Sequence, residues 1–342
     1  MNLKPKQMLD FFVKTLNGMA LGLFATLIIG VIIGQFAILL NSEGLTILAT
    51  TLRGLMGMGI GVGVAFSLKL TGLKLIVAAS AGAISTSPLI LGNIAVGLNP
   101  DPVVAYFTSI LTIMVLTKVL RKTTPVDILL IPLAGSLTAF FVTTLIASPV
   151  SSFVQAIGVF VNTATTFQPF IMGVIIAVIM GMALTAPISS AAIAISIGLS
   201  GIAAGAALVG GATQMIGFAV MSRKDNSLGV MLSVAFGTSM LQFKNILQKP
   251  IIWLPTIITS AVLGPISTLV FQMETIKEGA GMGTSGLIGQ ITTLDAMPLE
   301  LNTLLGIGLL HFILPIALVL SLDLYFRHKG WIKTGDLKLS TQ

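Results

Sequence analysis

Cysteine is absent from the 342-residue sequence, and charged residues make up only 8% of it. Without cysteine the chain has no disulfide, no thiolate metal site, no cysteine nucleophile and no phosphocysteine. A soluble domain carries about 25% charged residues, so this sequence lacks the polar side chains needed to cover a water-facing surface. The composition therefore excludes a soluble protein.

The sequence also lacks the common motifs of self-contained enzymes and metal sites. HExxH, GxSxG and Walker motifs are absent, and no histidine–carboxylate cluster has metal-ligand spacing. Charge within the apolar runs is sparse, which argues against a proton-relay pump or a channel with charged rings. The net charge of +7 lies mostly between apolar runs rather than in a nucleic-acid patch. We expect no cofactor, no metal and no nucleic-acid partner.

Apolar runs dominate the sequence, which is 55% hydrophobic with a mean hydropathy of +1.05. Many of these runs approach or exceed the roughly 18 residues that a membrane helix needs. We therefore predict an all-α polytopic membrane protein in the lipid bilayer, with about ten transmembrane helices (nine to eleven) and re-entrant or broken segments. The predicted spans are 18–40, 45–66, 72–92, 103–120, 126–147, 168–186, 188–205, 206–222, 251–271 and 301–325.

No polar stretch is long enough for a soluble domain, so residues 1–342 are interpreted as a single transmembrane domain. Its possible halves are 1–165 and 166–300, followed by a final helix, 301–325, and a cytoplasmic tail, 326–342.

Three segments are harder to assign from length alone. Phe11 and Phe12 suggest a short interfacial helix before an uncleaved first span. The stretch 148–167 is apolar but broken, and we interpret it as a hairpin or a surface helix. The stretch 228–243 is short, and either dips into the membrane or crosses it.

Basic residues alternate with acidic ones along the loops and set the expected orientation. Glu43 and Asp101 lie in the loops that carry no basic cluster. This alternation predicts a cytoplasmic N-terminus, and ten crossings would place the basic tail on the same side. The basic residues concerned are Lys4, Lys6 and Lys14 before the first span, Lys69 and Lys74 after the second, and Lys118, Arg121 and Lys122 after the fourth.

An internal repeat would change the number of crossings. The stretches 101–132 and 225–255 both run from an aspartate through an apolar segment and a lysine to two prolines. Transporters are often built from two such halves, inverted when each has an odd number of spans. If the repeat is real, residues 228–243 cross the membrane. The alternative is that the two lipid-facing segments are similar by chance.

The stretch GAGMGTSGLIGQ (Gly279–Gln290) has the glycine spacing of a dinucleotide-binding loop, at Gly281, Gly283 and Gly286. A dinucleotide site needs a preceding strand in a βαβ unit, whereas an apolar span precedes this loop. Non-helical backbone at membrane depth is tolerated where it lines a cavity, so we interpret the loop as a substrate site. The alternatives are an exposed flexible loop or a glycine-packed helix contact. Its polar candidates are Thr284, Ser285 and Gln290.

Other polar residues interrupt apolar segments. Ser87 and Asn93 lie in SAGAISTSPLILGN, where they either reach substrate hydroxyls or accompany close helix packing. Gln214 lies in mid-span, and it points inward either to a substrate or to a bridge between helices.

Three ionisable residues are further candidates for substrate binding. Arg53 lies inside the second span, where it serves a substrate or extends toward the outer interface. His311 lies midway along the last span, as a packing residue or as a buried base. Glu274 lies near the glycine loop with three other acids, as an ordinary loop charge or as a carboxylate for sugar hydroxyls.

Two stretches resemble a known family. Gln248–Ile291 (QKPIIWLPTIITSAVLGPISTLVFQMETIKEGAGMGTSGLIGQI) and Gly211–Asn226 (GATQMIGFAVMSRKDN) resemble membrane proteins of the perfringolysin O regulator type. These proteins are classed with the IIC membrane components of the bacterial phosphoenolpyruvate-dependent sugar phosphotransferase system. The resemblance extends over nearly the whole chain.

The resemblance implies a sugar-binding permease of a bacterial plasma membrane, working as a homodimer. A separate IIB protein would phosphorylate the bound sugar on the cytoplasmic side, because this sequence contains no cysteine for a phosphocysteine. The glutamate-bearing loop of the glucose-type permeases has no counterpart that we can place, so no catalytic residue carries over. A sugar transporter uncoupled from phosphorylation and a membrane sensor that regulates gene expression are the alternatives.

Overall fold

The computed structural model describes residues 5–88, 90, 101–120, 124–186 and 188–339, and contains no β-strand within these ranges. The chain groups into two compact units, Met1–Phe153 and Val154–Gln342. The backbone is helical because an apolar segment in lipid has no water to satisfy its N–H and C=O groups.

The first unit is built from long apolar helices. A π-helical turn, Phe24–Ile28, joins the first two helices without a break. Phe11 and Phe12 therefore belong to one continuous helix, and the expectation of a separate interfacial helix is wrong. The helices are α1 (Pro5–Leu23), α2 (Ile29–Leu39), α3 (Glu43–Gly54), α4 (Met56–Ser67), α5 (Leu73–Thr86), α6 (Pro102–Lys118) and α7 (Asp127–Ala164), the last of which continues into the second unit.

Helix starts in this unit follow ordinary capping chemistry. The Ser42 side chain accepts a hydrogen bond from the Leu45 N–H at 3.4 Å and begins α3. The Asp101 carboxylate accepts from the Val103 N–H at 2.7 Å, and Pro102 occupies the first helical position of α6.

The second unit surrounds one nearly fully buried helix, α10 (Gly201–Met221), which is rich in glycine and alanine. The other helices are α8 (Pro169–Thr185), α9 (Ser190–Ser196), α11 (Leu228–Phe236), α12 (Phe243–Gln248), α13 (Leu254–Ile266), α14 (Lys277–Ala280), α15 (Ile288–Ala296), α16 (Leu301–Gly308) and α17 (Leu314–His328). Short 3₁₀ or π turns precede α12 and α13, follow α13, and join α16 to α17.

Five helices among the described residues are long and apolar enough to cross a membrane, and the number rises to seven if each of two bent pairs forms one span. Three further apolar helices are shorter, at 14 to 17 residues. The prediction of a polytopic all-α membrane protein is confirmed, while the count of about ten crossings stays a prediction. The five are Asp10–Ile38, Asp127–Ala164, Gly201–Lys224, Pro250–Phe271 and Leu301–His328.

Two predicted segment boundaries are wrong. The stretch 148–167 is mostly part of α7, which continues unbroken from 127 with Pro132 and Pro149 inside it. The segment predicted as a span at 188–205 is instead the seven-residue α9 and the start of α10. Gly198 and Gly201 adopt positive φ of 63° and 64°, and this pair of turns ends one helix before the next begins.

Residues 228–248 form a bent hairpin in which the second arm turns from the first by 118°. The Thr238 hydroxyl accepts a hydrogen bond from the Met240 N–H at 3.1 Å and caps the second arm. This is the geometry of a re-entrant loop or a broken span. The proposed counterpart of this hairpin in the internal repeat, α6, is an uninterrupted helix, so the two similar sequences adopt different conformations.

At glycine positions, the backbones of α10 and the helices around it are in direct contact. A Cβ atom at Gly210 would lie 1.9 Å from the Ala177 carbonyl oxygen on α8. A Cβ atom at Gly264 on α13 would lie 2.1 Å from the Gly173 carbonyl oxygen on α8. Small residues at such crossings provide the van der Waals contact that holds membrane helices together, since lipid supplies little hydrophobic driving force between them.

The substitution Gly210→Ala is therefore expected to lower the free energy of unfolding by about 1–3 kcal/mol, because the added methyl group overpacks a backbone contact. Equilibrium unfolding in mixed detergent micelles measures this change. The matched control is Gly308→Ala, since no atom lies within 4 Å of the Cβ position at this helical glycine. Equal destabilisation by both substitutions would contradict the packing explanation.

The last described residues are hydrogen-bonded to other parts of the second unit. The N–H groups of Gly335 and Leu337 donate to the Asp225 carboxylate at 2.7 and 3.1 Å. The side chains of Gln242 and Asn245, in the second arm of the bent hairpin, donate to carbonyl groups of residues 337 and 338. These contacts tie the C-terminal segment to the hairpin.

Candidate functional site

Gln214 lies near the middle of α10 and is completely buried. Its Oε1 accepts hydrogen bonds from Trp253 Nε1 at 2.9 Å, Thr256 Oγ1 at 3.0 Å and Thr185 Oγ1 at 3.2 Å. An indole N–H can only donate, so this contact sets the orientation of the amide. The Gln214 Nε2 group has no hydrogen-bond partner among the described residues. Gln214 therefore keeps N–H donors that no described residue accepts.

The Gln214 cluster reaches the turn of the bent hairpin. Thr185 is the last residue of α8, and its hydroxyl oxygen lies 2.9 Å from that of Ser239. Ser239 begins the second arm of the hairpin directly after the turn. The end of α8 and the hairpin turn thus meet beside the centre of α10.

The glycine loop, Gly281–Leu287, packs directly on α10. Gly283 and Gly286 adopt positive φ of 56° and 54°, which L side chains rarely adopt. A Cβ atom at Gly283 would lie 2.7 Å from the backbone carbon of Gly211, close to Gln214 on the same helix. Gly281, Gly283, Thr284 and Ser285 are buried, so the alternative of an exposed flexible loop is wrong.

Two hydrogen bonds fasten the glycine loop to its neighbours. Ser190 Oγ, at the start of α9, donates to the Gly281 carbonyl oxygen at 2.7 Å. Thr284 Oγ1 donates to the Ala235 carbonyl oxygen near the end of α11. Three interruptions of helical backbone therefore meet around α10: the α8–α9 gap, the hairpin turn and the glycine loop. Such interruptions inside a membrane domain occur where protein buries them or where they line a cavity.

A second polar cluster contacts the glycine loop through Gly283. Gln290, on α15, places its Nε2 3.2 Å from His311 Nδ1 and 3.5 Å from the Gly283 carbonyl oxygen. His311 is completely buried in the π-helical turn Leu309–Ile313 between α16 and α17. The Gln290 Oε1 and His311 Nε2 atoms have no partner among the described residues.

Buried polar atoms without partners concentrate on these elements. Each such atom costs about 1–3 kcal/mol unless a ligand or water completes its hydrogen bonds. Four of them belong to residues that the sequence marked as candidates. The buried polar side-chain atoms of the second unit that have no described partner are Thr213 Oγ1, Gln214 Nε2, Ser260 Oγ, Ser267 Oγ, Ser285 Oγ, Gln290 Oε1 and His311 Nε2.

The two clusters consist of amide, hydroxyl, indole and imidazole groups. Glu274 is partly exposed before the glycine loop, and no described hydrogen bond joins its carboxylate to Gln214, Gln290 or His311. Uncharged donors and acceptors suit a neutral, hydroxylated ligand, because neither side then has to bury an unpaired charge.

The remaining sequence candidates are not part of these clusters. Arg53 belongs to the first unit, where it is exposed and its Nε donates to the Ala49 carbonyl oxygen at 3.3 Å. Ser87 lies in the first unit at the end of α5. Asn93 lies outside the described residues.

Sequence reasoning missed four members of the Gln214 cluster: Thr185, Ser239, Trp253 and Thr256. Trp253 is one of only two tryptophans in the chain, and its indole N–H needs a partner when buried. That signal could have marked Trp253 as a polar contact. Thr185 and Ser239 carried no such signal, because hydroxyl residues in membrane helices commonly bond to their own backbone.

Comparison with protein families matches this chain to one model over most of its length. The model described as phosphotransferase system, EIIC, matches residues 13–339. The chain belongs to the EIIC family of the phosphotransferase system. Neither the search of curated proteins nor the search of solved structures gave a significant match. Family membership supports a membrane permease component of a phosphotransferase system, and the predicted EIIC resemblance is confirmed.

Proposed function

We propose that this EIIC protein binds and translocates a neutral sugar or sugar derivative and presents it to a separate phosphorylating IIB partner. The observation that carries the proposal is the set of buried, uncharged and unpartnered polar atoms on Gln214, Ser285, Gln290 and His311. These atoms lie on the elements where the backbone interruptions of the second unit meet. Sugar hydroxyls both donate and accept hydrogen bonds, so they complement this mixed set.

The contribution of this chain to phosphoryl transfer would be to position the sugar. The transferred phosphoryl group would come from the phosphorylated side chain of the IIB partner, and phosphoenolpyruvate would supply it upstream. A sugar hydroxyl oxygen would bond to phosphorus, the partner side chain would leave, and the hydroxyl proton would be released. Holding the two reactants in line is itself a large source of rate acceleration.

The cellular setting follows from the same proposal. The protein would lie in a bacterial plasma membrane as a homodimer, with its N-terminus and basic tail in the cytoplasm where a IIB protein operates. The distribution of lysine and arginine between the apolar segments supports this orientation.

Transport by the purified protein in liposomes tests the proposal. We would measure uptake of radiolabelled glucose, N-acetylglucosamine and mannitol, with and without the general phosphotransferase proteins, a IIB protein and phosphoenolpyruvate. The expected result is uptake of one of these solutes only with the complete phosphorylating system, with the phosphorylated product inside. Uptake by the chain alone would indicate an uncoupled transporter. Binding without uptake in either condition would indicate a sensor and overturn the proposal.

A further inference from the structure

The contact between Gln290 and His311 sets the hydrogen positions of both side chains. The Gln290 nitrogen lies within 3.5 Å of the Gly283 carbonyl oxygen, which can only accept a hydrogen bond. The NH₂ side of the amide must therefore face Gly283. Its second hydrogen points to His311 Nδ1, 3.2 Å away.

A neutral imidazole has one donor and one acceptor nitrogen. Since His311 Nδ1 accepts from Gln290, the ring hydrogen resides on Nε2. The two unpartnered atoms then have defined and opposite characters: His311 Nε2–H is a donor and Gln290 Oε1 is an acceptor.

We propose that Gln290 is a positioning residue that holds His311 in the Nε2–H tautomer, so that the pair offers one donor and one acceptor to neighbouring hydroxyl groups of the bound solute. The part that concerns the solute rests on the proposed function. The part that concerns the tautomer rests on the protein geometry alone.

Two neighbouring threonines on α15 differ from Gln290 and His311, because their hydroxyl groups have hydrogen-bond partners. Thr293 Oγ1 donates to the Gly289 carbonyl oxygen at 2.8 Å, and Thr292 Oγ1 donates to the Ile288 carbonyl oxygen at 2.9 Å. Both hydroxyls therefore have partners within their own helix, and Thr292 Oγ1 also lies 2.9 Å from Thr275 Oγ1. Gln290 and His311 instead keep one open atom each while almost fully buried, at 7% and 0% exposure. The π-helical turn that carries His311 is a backbone irregularity that is frequent at functional sites.

The tautomer can be observed directly, because the chain contains only two histidines, His311 and His328. The full-length protein labelled with ¹⁵N-histidine in detergent micelles should give two sets of imidazole signals, and the variant His328→Gln assigns them. The expected result is a His311 signal with its hydrogen on Nε2. The variant Gln290→Glu should place a hydrogen on Nδ1, because a carboxylate only accepts. A hydrogen on Nδ1 in the unaltered protein would overturn the proposal.

Two substitutions at His311 test the roles of its two ring nitrogens separately: Nε2, which has no described partner, and Nδ1, which contacts Gln290. The amide of His311→Gln reaches the position of Nε2, whereas that of His311→Asn reaches the position of Nδ1. Binding of glucose, N-acetylglucosamine and mannitol would be measured by saturation-transfer NMR. We expect His311→Asn to weaken binding of the recognised solute about tenfold or more, a loss of about 1.4 kcal/mol. We expect His311→Gln, which keeps a donor near the position of Nε2 but loses the acceptor for Gln290, to weaken binding less than His311→Asn does.

The outcomes distinguish this inference from the proposed function. Solute binding that leaves the His311 Nε2 signal unchanged, or that His311→Asn does not weaken, would overturn the solute contact while leaving the permease proposal intact. Absence of binding for all three solutes would overturn both the permease proposal and the solute contact. In that case the ¹⁵N spectrum would still decide the tautomer.

Discussion

Replacing Asp323 with alanine is expected to lower the free energy of unfolding by about 3–5 kcal/mol, because two arginines lose the buried carboxylate that they share. Asp323 Oδ2 lies 2.7 Å from Arg223 Nη1, and Asp323 Oδ1 lies 2.9 Å from Arg327 Nε. The Asp323 side chain is completely buried, whereas those of Arg223 and Arg327 are 25% and 10% exposed. The partial exposure of Arg223 places the expected value toward the lower end of the range, since water screens its charge.

The Asp323 cluster joins the C-terminal ends of α10 and α17. Arg327 Nη2 donates to the Met221 carbonyl oxygen at 2.9 Å, and Arg223 Nη1 donates to the Val220 carbonyl oxygen at 3.1 Å. Cations at helix C-termini are favourable because the last carbonyl groups carry partial negative charge. Loss of Asp323 therefore loosens the end of the helix that carries Gln214.

Equilibrium unfolding in mixed detergent micelles would measure the effect of Asp323→Ala. The control is Asp336→Ala, which breaks the Lys249–Asp336 pair, with side-chain exposures of 31% and 21%. A pair of this exposure contributes about 0–1 kcal/mol. If both substitutions destabilised the protein equally, the buried carboxylate would not be the cause.

The substitution Gln214→Glu is expected to weaken binding of the transported solute by about ten- to a hundredfold, which corresponds to about 1.5–3 kcal/mol. Glutamate keeps an acceptor oxygen for Trp253, Thr256 and Thr185, and its carboxylate puts a second acceptor in place of the unpartnered NH₂ group. The binding assay with glucose, N-acetylglucosamine and mannitol measures the loss. Unchanged affinity in a correctly folded Gln214→Glu variant would show that the amide nitrogen does not contact the solute.

A second variant separates this role from folding. Gln214→Leu also removes the acceptor for Trp253 Nε1, a partly buried donor with no other described hydrogen bond. A fully buried donor left unpaired costs about 1–3 kcal/mol, so the cost here lies toward the lower end of that range. Thr256 is less affected, because its single hydroxyl hydrogen has a second acceptor within reach, the Trp253 carbonyl oxygen at 2.9 Å. We therefore expect Gln214→Leu to lower stability and solute affinity through loss of the indole contact, whereas Gln214→Glu keeps that contact and lowers affinity by removing the N–H donors.

Several residues of the candidate site could be predicted from the sequence, because their side chains differ from those around them. Gln214 and His311 are polar residues in apolar spans, and the glycines before Gln290 interrupt a pattern that otherwise predicts helix. The structure brings Gln290 and His311 into contact and packs Gly283 against Gly211 on the helix of Gln214. The same contrast also marked Arg53 and Ser87, which lie in the first unit.

Helix boundaries were harder to predict from the sequence, for a physical reason. A proline in a membrane helix usually predicts a break, yet Pro132 and Pro149 lie inside α7, because neighbouring groups can satisfy the freed carbonyls. The positive φ values at Gly198 and Gly201 separate α9 from α10. The sequence gives no sign of this, because both are glycines among small and apolar residues, like the glycines inside the helices.

The sequence by itself determined the class of this protein. So little charge, together with apolar runs of about 18 residues or more, indicates a membrane domain built from helices, because a helix satisfies its own backbone hydrogen bonds in lipid. The tertiary structure alone decided which polar groups meet. Thr185, Gln214, Ser239 and Trp253 are distant in the sequence, and helix packing at glycine contacts brings them together. Only that packing shows which of their side-chain atoms have hydrogen-bond partners and which have none among the described residues.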